Sequence, residues 1–288
     1  LRAGARHGRG PGEQPDRLTP HHGGALPNVA AAAARRGAPA ALVGGVGSDH
    51  WGRRLIEGLA DEGVETRWIS IVDGARTPLA IATFDRDGEP SFQIYGEHIG
   101  PTMEAAEIFL DEAVGSAQAL VIGANTMVGQ TERDVTRRAV SMARGLGLPV
   151  LLDPNHRPMR WTAEDEALPL GRELIGSATV LKCNREEARL FSGENDPGTA
   201  IEALAAMGPD LVVVTDRGNR IRTGGAVSTT WSPERIEVVS PLGAGDAFMG
   251  SLAAGLAGLE WDLGRVAEVL PLAAADATRV CGHWGARP

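Results

Sequence analysis

The sequence is poor in aromatic residues, which make up 4% of its 288 positions and include a single tyrosine. Its two cysteines, Cys183 and Cys281, form no disulfide framework, so a reducing cytoplasm is the expected compartment. Positive charge is also short: 28 Lys and Arg stand against 37 Asp and Glu, for a net charge of −9. This excludes general binding to a nucleic-acid backbone, which needs a basic face. It leaves a nucleotide ligand open, because helix N-termini and backbone amides bind phosphate without net positive charge. No apolar run reaches the ~18 residues that span a bilayer, and no secretory leader pattern opens the chain. A soluble protein with neither a membrane nor a nucleic-acid partner is expected.

What the chain does have is small residues, 38 glycines among them and alanine in quantity, which suit helices packed closely on a sheet. An apolar fraction of 43% and a charged fraction of 23% are those of a globular protein. The length allows one large α/β domain or two modest ones. Residues 1–20 are rich in Arg, Gly and Pro without any period, and read as loop. From Gly23 the pattern predicts a helix over 28–36, a strand over 40–46 and a helix over 51–62. Segments 79–84 and 91–95 alternate apolar and polar residues around Asp85-Arg86-Asp87-Gly88, predicting a β-hairpin with one wet face. Strands over 119–122, 150–152, 180–182 and 211–215 then alternate with helices over 130–145, 170–175, 185–192 and 201–207. Helices over 243–259 and 266–280 close the chain. Such alternation predicts right-handed crossovers and a parallel sheet covered on both faces, with the hairpin as a lid over one edge.

The most informative segment is 240–252, where Gly243-Ala244-Gly245 precedes a long helix. Three small residues let backbone N–H groups approach an anion, and the helix dipole adds positive potential at the same point. Asp246, in the first turn, is kept ionised there and suits a base that accepts a hydroxyl proton. Read alone, the same residues also fit a tight turn followed by a helix-start acid. A P-loop is absent, and neither Gly45-Val46-Gly47 nor Gly243-Ala244-Gly245 has the third glycine of a dinucleotide fingerprint. Asn184 with Glu187 reads as a capping box, and Asp49 as a helix start beside Ser48. Arg157, just past a strand of the parallel sheet, lies where ligands bind in such folds. His21 and His22 have no partners at metal spacing and read as surface loop; His283 reads as structural or exposed.

Taken in order, these segments resemble the ribokinase-like (PfkB) carbohydrate kinases. Gly23-Gly24-Ala25-Leu26-Pro27-Asn28 looks like the family's N-terminal motif, in which a Gly-Gly turn and an Asn touch the sugar. Val46-Gly47-Ser48-Asp49 with Gly52 resembles its VG-x-D-x-x-G stretch. Asp153-Pro154-Asn155-His156-Arg157, with Trp161 beyond, resembles a stretch of fructokinases and 2-keto-3-deoxygluconate kinases. Asn184-Arg185-Glu186-Glu187 matches N-x-x-E, and Gly243-Ala244-Gly245-Asp246 matches the C-terminal motif. Three departures stand out: no strand with a sugar-gripping acid precedes Gly23, Ser240-Pro241 replaces Asp-Thr, and Ile221 stands where a second glycine usually follows Gly218.

The resemblance implies a three-layer α/β/α sandwich with a mainly parallel sheet and a small β-lid. The core would comprise 24–75 and 97–288, the lid 12–23 and 76–96, and 1–11 would be irregular. It implies transfer of the ATP γ-phosphate to a primary hydroxyl of a small sugar or sugar acid, with Asp246 as base and Gly243, Ala244 and Gly245 stabilising the transferred group. Gly23, Gly24, Asn28 and Arg157 would orient the sugar. Asn184 and Glu187 would act in the outer shell of Mg²⁺, and Thr215 and Gly218 would line the nucleotide site. A monovalent cation near the 240–243 loop and a homodimer through the lids belong to the same analogy. A non-catalytic ligand-binding homologue and a nucleoside kinase are the alternatives.

Overall fold

The computed structural model describes residues 2–3, 18–84, 90–96, 99–161 and 164–287. Two short strands, Arg2–Ala3 (β1) and Leu18–Thr19 (β2), precede helix Ala25–Arg35 (α1). Then come Gly44–Gly47 (β3), His50–Ala60 (α2), Ile69–Val72 (β4), and the hairpin Leu79–Phe84 (β5) with Pro90–Tyr95 (β6). Gly100–Ala106 (α3) and Leu110–Gly115 (α4) lead to Leu120–Gly123 (β7), Gln130–Gly145 (α5), Val150–Asp153 (β8), Glu164–Ile175 (α6) and Val180–Asn184 (β9). Arg185–Ser192 (α7), Pro197–Ala205 (α8), Leu211–Asp216 (β10), Arg220–Gly225 (β11) and Thr230–Trp231 (β12) follow, and Ala244–Gly258 (α9) and Val266–Cys281 (α10) complete the order.

The main sheet runs β12-β11-β10-β9-β8-β7, with β7 to β10 parallel and the last two strands antiparallel. Its central strands are apolar on both faces. Leu151, Val180, Leu211 and Val213 pack with residues of α9 and α10, including Met249, Leu252 and Leu270. Their neighbours Val150, Leu152, Leu181, Val212 and Val214 pack on the other side with Ile175, Phe191 and Leu204. The period-2 alternation therefore sorts side chains between two helix layers, as parallel strands buried on both faces require. Each fully buried aliphatic side chain contributes about 1.5–3 kcal/mol. Among the described residues, no helix is long and apolar enough to cross a membrane.

Two regions stand outside that sheet. β3 and β4 form a separate parallel pair, so among the described residues β3 and β7 are both edge strands. The predicted strand over 40–46 shrinks to Gly44–Gly47, with one isolated bridge from Ala41 to Glu65. The glycines matter here: a Cβ on Gly45 would fall 2.8 Å from the Thr102 side chain, and one on Gly47 2.8 Å from the Ala75 carbonyl carbon.

The second region is a four-stranded sheet in the order β2-β1-β5-β6. The hairpin is where the alternation placed it, although its turn, 85–89, lies outside the described residues. Arg2–Ala3, inside the segment read as irregular, instead forms a strand that pairs with Leu18–Thr19 and with Ala82. Among the described residues, neither strand before α1 joins the main sheet.

Asp49 ties the hairpin's approach to the core. One carboxylate oxygen caps α2 by accepting from the Gly52 N–H (2.8 Å), and the other accepts from the Thr77 N–H (2.8 Å). The Thr77 hydroxyl in turn accepts from the Gly47 N–H at 3.0 Å. Burial opposes ionisation of Asp49, but the amides of Thr77 and Gly52 outweigh it and hold the carboxyl below its usual range. The predicted helix start is thus only half of its role. His21 and His22, expected on a surface loop, are both half-buried; the His22 ring fills the space over Gly58.

Candidate active site

Three strands of the main sheet end at one edge in Asp153, Asn184 and Asp216, and the start of α9 faces the same region. Gly243 caps α9 with φ +81°, and a Cβ there would lie 2.6 Å from Ala286, so only glycine fits. The first-turn amides of a helix have no carbonyl of their own, and they point outward with the positive end of the dipole.

Asp246, in that first turn, is buried, with 9% of its surface exposed. Each of its oxygens accepts from a carboxamide: Oδ2 from Asn28 Nδ2 at 2.8 Å, and Oδ1 from Asn155 Nδ2 at 3.1 Å. Asn28 arrives on α1, which starts at Gly24 with φ +100°, another conformation that favours glycine. Asn155 lies just past β8 at φ +46°, held there by its own N–H, which donates to Asp153 Oδ1 at 3.1 Å. Asp153 Oδ2 accepts from Lys182 Nζ at 2.6 Å, both side chains being more than nine-tenths buried. A Cβ on Gly245 would sit 2.9 Å from that ammonium, so Lys182 lies directly beneath the first turn of α9.

The electrostatics follow from this crowding. Burial pushes the Asp246 carboxyl up to about 6; the Asn28 amide opposes the rise, Asp153 adds to it, and Lys182 and Arg157 pull it back. Glu187 rises to about 7, through burial first and the nearby Asp153 second. Burial would lower the Lys182 ammonium, but Asp153 and Glu187 outweigh it and hold the group above its usual range.

Asn184 and Glu187 form the predicted capping box: Asn184 Oδ1 accepts from the Glu187 N–H (2.8 Å), and Glu187 Oε2 accepts from the Asn184 N–H (2.9 Å). The other Glu187 oxygen accepts from the His156 N–H at 2.7 Å, so the box also anchors the loop that bears Asn155 and Arg157. Thr215 is the cross-strand partner of Asn184, and Gly218 takes φ +76° in the turn beyond, with open space where a Cβ would be. Arg157 donates to the His156 carbonyl (3.1 Å) and sets its guanidinium 5.9 Å from the ring of Phe92 on β6. Core and hairpin therefore meet over the site. Trp161 is buried in the helix-covered core and stacks on His156 at 6.4 Å.

A model of the pfkB family carbohydrate kinases matches residues 4–287. The chain belongs to that family. It is 31% identical over 274 residues to a probable fructokinase-4 from Arabidopsis thaliana, covering 92% of this chain and 83% of that protein. Among solved structures, a fructokinase with bound ATP from Xylella fastidiosa superposes with a TM-score of 0.85 at 27% identity, covering 95% of this chain and 88% of that one. A Vibrio cholerae fructokinase in a fructose-, ADP- and potassium-bound form gives 0.84 at 26% identity, over 93% and 87% of the two chains. The ribokinase-like α/β fold expected from the motifs is the one found.

The fold brings Asn28, Arg157, Gly245 and Asp246 into one neighbourhood, and sets Asn184, Glu187 and Thr215 along the adjoining strand ends. Gly23 lies at the entrance to α1, where a Cβ would meet only open space. Sequence reasoning missed Lys182 and the use of Asp153 and Asn155 as a connected pair. One signal for Lys182 was available: it is the only lysine among 28 basic residues, in a strand otherwise built of apolar side chains and Asn184.

Proposed function

We propose that this protein transfers the γ-phosphoryl group of ATP to a primary hydroxyl of a small keto-sugar of the fructose type. The observation that carries this reading is Asp246: a buried carboxylate at a helix N-terminus, held by two carboxamides and poised near pH 6. A base with that value is ionised at neutral pH and still basic enough to accept a proton as a hydroxyl attacks.

The site suits these ligands. Asn28 Oδ1 is buried without a hydrogen-bond partner, an acceptor suited to a sugar hydroxyl beside the base. The glycine-rich start of α9 gives phosphate oxygens access to first-turn amides, of which the Ala244 N–H also reaches the Pro241 carbonyl at 3.4 Å. Among the described residues, no group of three or more His, Cys, Asp or Glu could hold a metal ion. Both Glu187 oxygens already accept backbone N–H groups, so Glu187 and Asn184 would act on a metal only through water. ATP would supply the phosphoryl group, and Mg²⁺ bound with it would screen the phosphate charge. The remainder falls to the chain. Asn28 and Asn155 fix the Asp246 carboxylate, whose oxygen takes the hydroxyl proton. The amides at the start of α9 offset negative charge on the transferred group. The hairpin, touching Arg157 through Phe92, excludes water. Around the 240–243 loop, Ser240 is fully buried and its N–H donates to the Cys281 carbonyl at 3.1 Å. Its side chain brings no carboxylate to a monovalent cation.

ADP release with ATP and Mg²⁺ across fructose, ribose, 2-keto-3-deoxygluconate and adenosine tests the reading. Turnover strongest on fructose is expected; turnover on adenosine alone would replace it with a nucleoside kinase. The pH profile of kcat/KM should fall on the acid side through about pH 6, because protonating Asp246 removes the acceptor. A flat profile from pH 5 to 8 would contradict the assignment. If a sugar acid is also a substrate, Arg157 is its carboxylate partner, since a fork of N–H donors suits a carboxylate. Arg157→Lys should then raise KM for the acid about tenfold and hardly change KM for fructose. Equal losses on both would remove that role.

A further inference from the structure

Asp246 is buried beside Asp153, and its ionised form is favoured first by the Asn28 carboxamide and then by the charges of Lys182 and Arg157. Three carboxyl groups, Asp153, Glu187 and Asp246, act on the single ammonium of Lys182. Resting on the reading of Asp246 as the base, we propose that Lys182 is a positioning residue that acts through Asp153 and Asn155 to hold Asp246 in its proton-accepting form.

The path is continuous. Lys182 Nζ donates to Asp153 Oδ2 (2.6 Å), Asp153 Oδ1 accepts from the Asn155 N–H (3.1 Å), and Asn155 Nδ2 donates to Asp246 Oδ1 (3.1 Å). Asp153 thus uses one oxygen for the ammonium and the other to fix Asn155 at φ +46°, a conformation that needs such support. Without the ammonium, a carboxylate only 8% exposed would stand unpaired and would protonate or move, and Asn155 would lose its anchor. The space above the ammonium is set by Gly245. A Cβ on Gly245 would lie 2.9 Å from Nζ, so glycine above the lysine is what lets the ammonium sit there. In a sequence that uses arginine for every other basic residue, this one position carries lysine.

The charged groups around Asp246 come from each element packed on it. Asp153 and Arg157 belong to β8 and its following loop, and Lys182 to β9. Asn28 on α1 is neutral, and Glu187 on α7 acts on Lys182 and, through Asp153, on the same network. Removing one positive and one negative member should therefore move Asp246 in opposite directions.

The test compares pH profiles of kcat/KM on the preferred sugar for wild type, Lys182→Met, Asp153→Asn and Asp246→Asn. In Lys182→Met the acid limb should move up by about one pH unit, so that activity at pH 6.5 falls to roughly a quarter of its own plateau. In Asp153→Asn the limb should move down. A purely structural role would lower both plateaus and leave the limbs where they are in wild type, and that result would overturn the proposal. If Lys182→Met does not fold, Lys182→Gln, which keeps a donor toward Asp153 but no charge, takes its place: an upward shift of its limb supports the proposal, and an unmoved limb rejects it. Asp246→Asn separates the two levels. Full turnover in that variant would remove the base assignment and this inference with it. An inactive Asp246→Asn beside an unmoved limb in Lys182→Met would reject only the role of Lys182.

Discussion

Asp246→Asn is expected to abolish turnover and to stabilise the folded protein at the same time. The first effect is a loss of about 10³-fold or more in kcat, the scale of a missing general base. The second follows from the rise of the Asp246 carboxyl from 3.8 to about 6 on folding. A group raised in the folded state favours folding while protonated and costs stability once ionised. The cost is absent below about pH 4, grows as the pH rises through 6, and is complete at about pH 7.5. Replacing the carboxylate with a neutral isostere removes that cost, on the order of 3 kcal/mol. The Asn28 carboxamide, whose Oδ1 has no partner, can turn over to accept from the new amide. Denaturant unfolding at pH 7.5 and pH 5 checks this: the variant should be the more stable at 7.5, with the gain shrinking at 5. Lower stability at both pH values would mean that the ionised carboxylate is a net structural asset.

Gly250→Val should have the largest effect on the fold. α1 and α9 cross at this glycine, where a Cβ would overlap the Val29 carbonyl oxygen and lie 2.7 Å from Ala32 Cβ. These are backbone and helix-bound atoms that cannot swing aside, so the helices must separate. Overpacking of this kind costs about 3 kcal/mol, or several degrees in Tm for a chain of this size. Asn28 adjoins Val29, and Asp246 lies one turn before Gly250, so the same displacement stretches the 2.8 Å bond between them. A thermal melt and a kcat measurement on one preparation should therefore both fall. A wild-type Tm would show that the crossing has slack.

Much of this was legible in the sequence because it was local. The runs at Val150, Val180 and Leu211 are apolar on successive residues, which only a strand covered on both faces tolerates. The Gly-Ala-Gly-Asp start of α9 fixes both a turn and an acid within four residues. The parts that were hidden depend on distant partners. Ile69–Val72 is a strand because β3 lies beside it, and Arg220–Gly225, a mixture of charge and glycine, is a strand because β10 is. The Asp49 contact with Thr77 spans 28 residues, so its sequence context shows only the helix cap. The same holds at the site. Asp153 to Lys182 spans 29 residues and Asn155 to Asp246 spans 91, so the motifs named the residues without showing the bonds that join them. Arg2–Ala3 carries no strand period of its own and is a strand only through Leu18–Thr19 and Ala82.

The most direct test of the central claim is a phosphorus NMR spectrum of wild-type protein incubated with ATP, Mg²⁺ and fructose, beside an Asp246→Asn control. A new phosphomonoester signal, split by the two protons of the adjoining CH₂ group, is expected for phosphoryl transfer to a primary hydroxyl. It should appear together with ADP and be absent in the control. Inorganic phosphate as the only new signal, or an equal sugar phosphate signal from the Asp246→Asn protein, would contradict it.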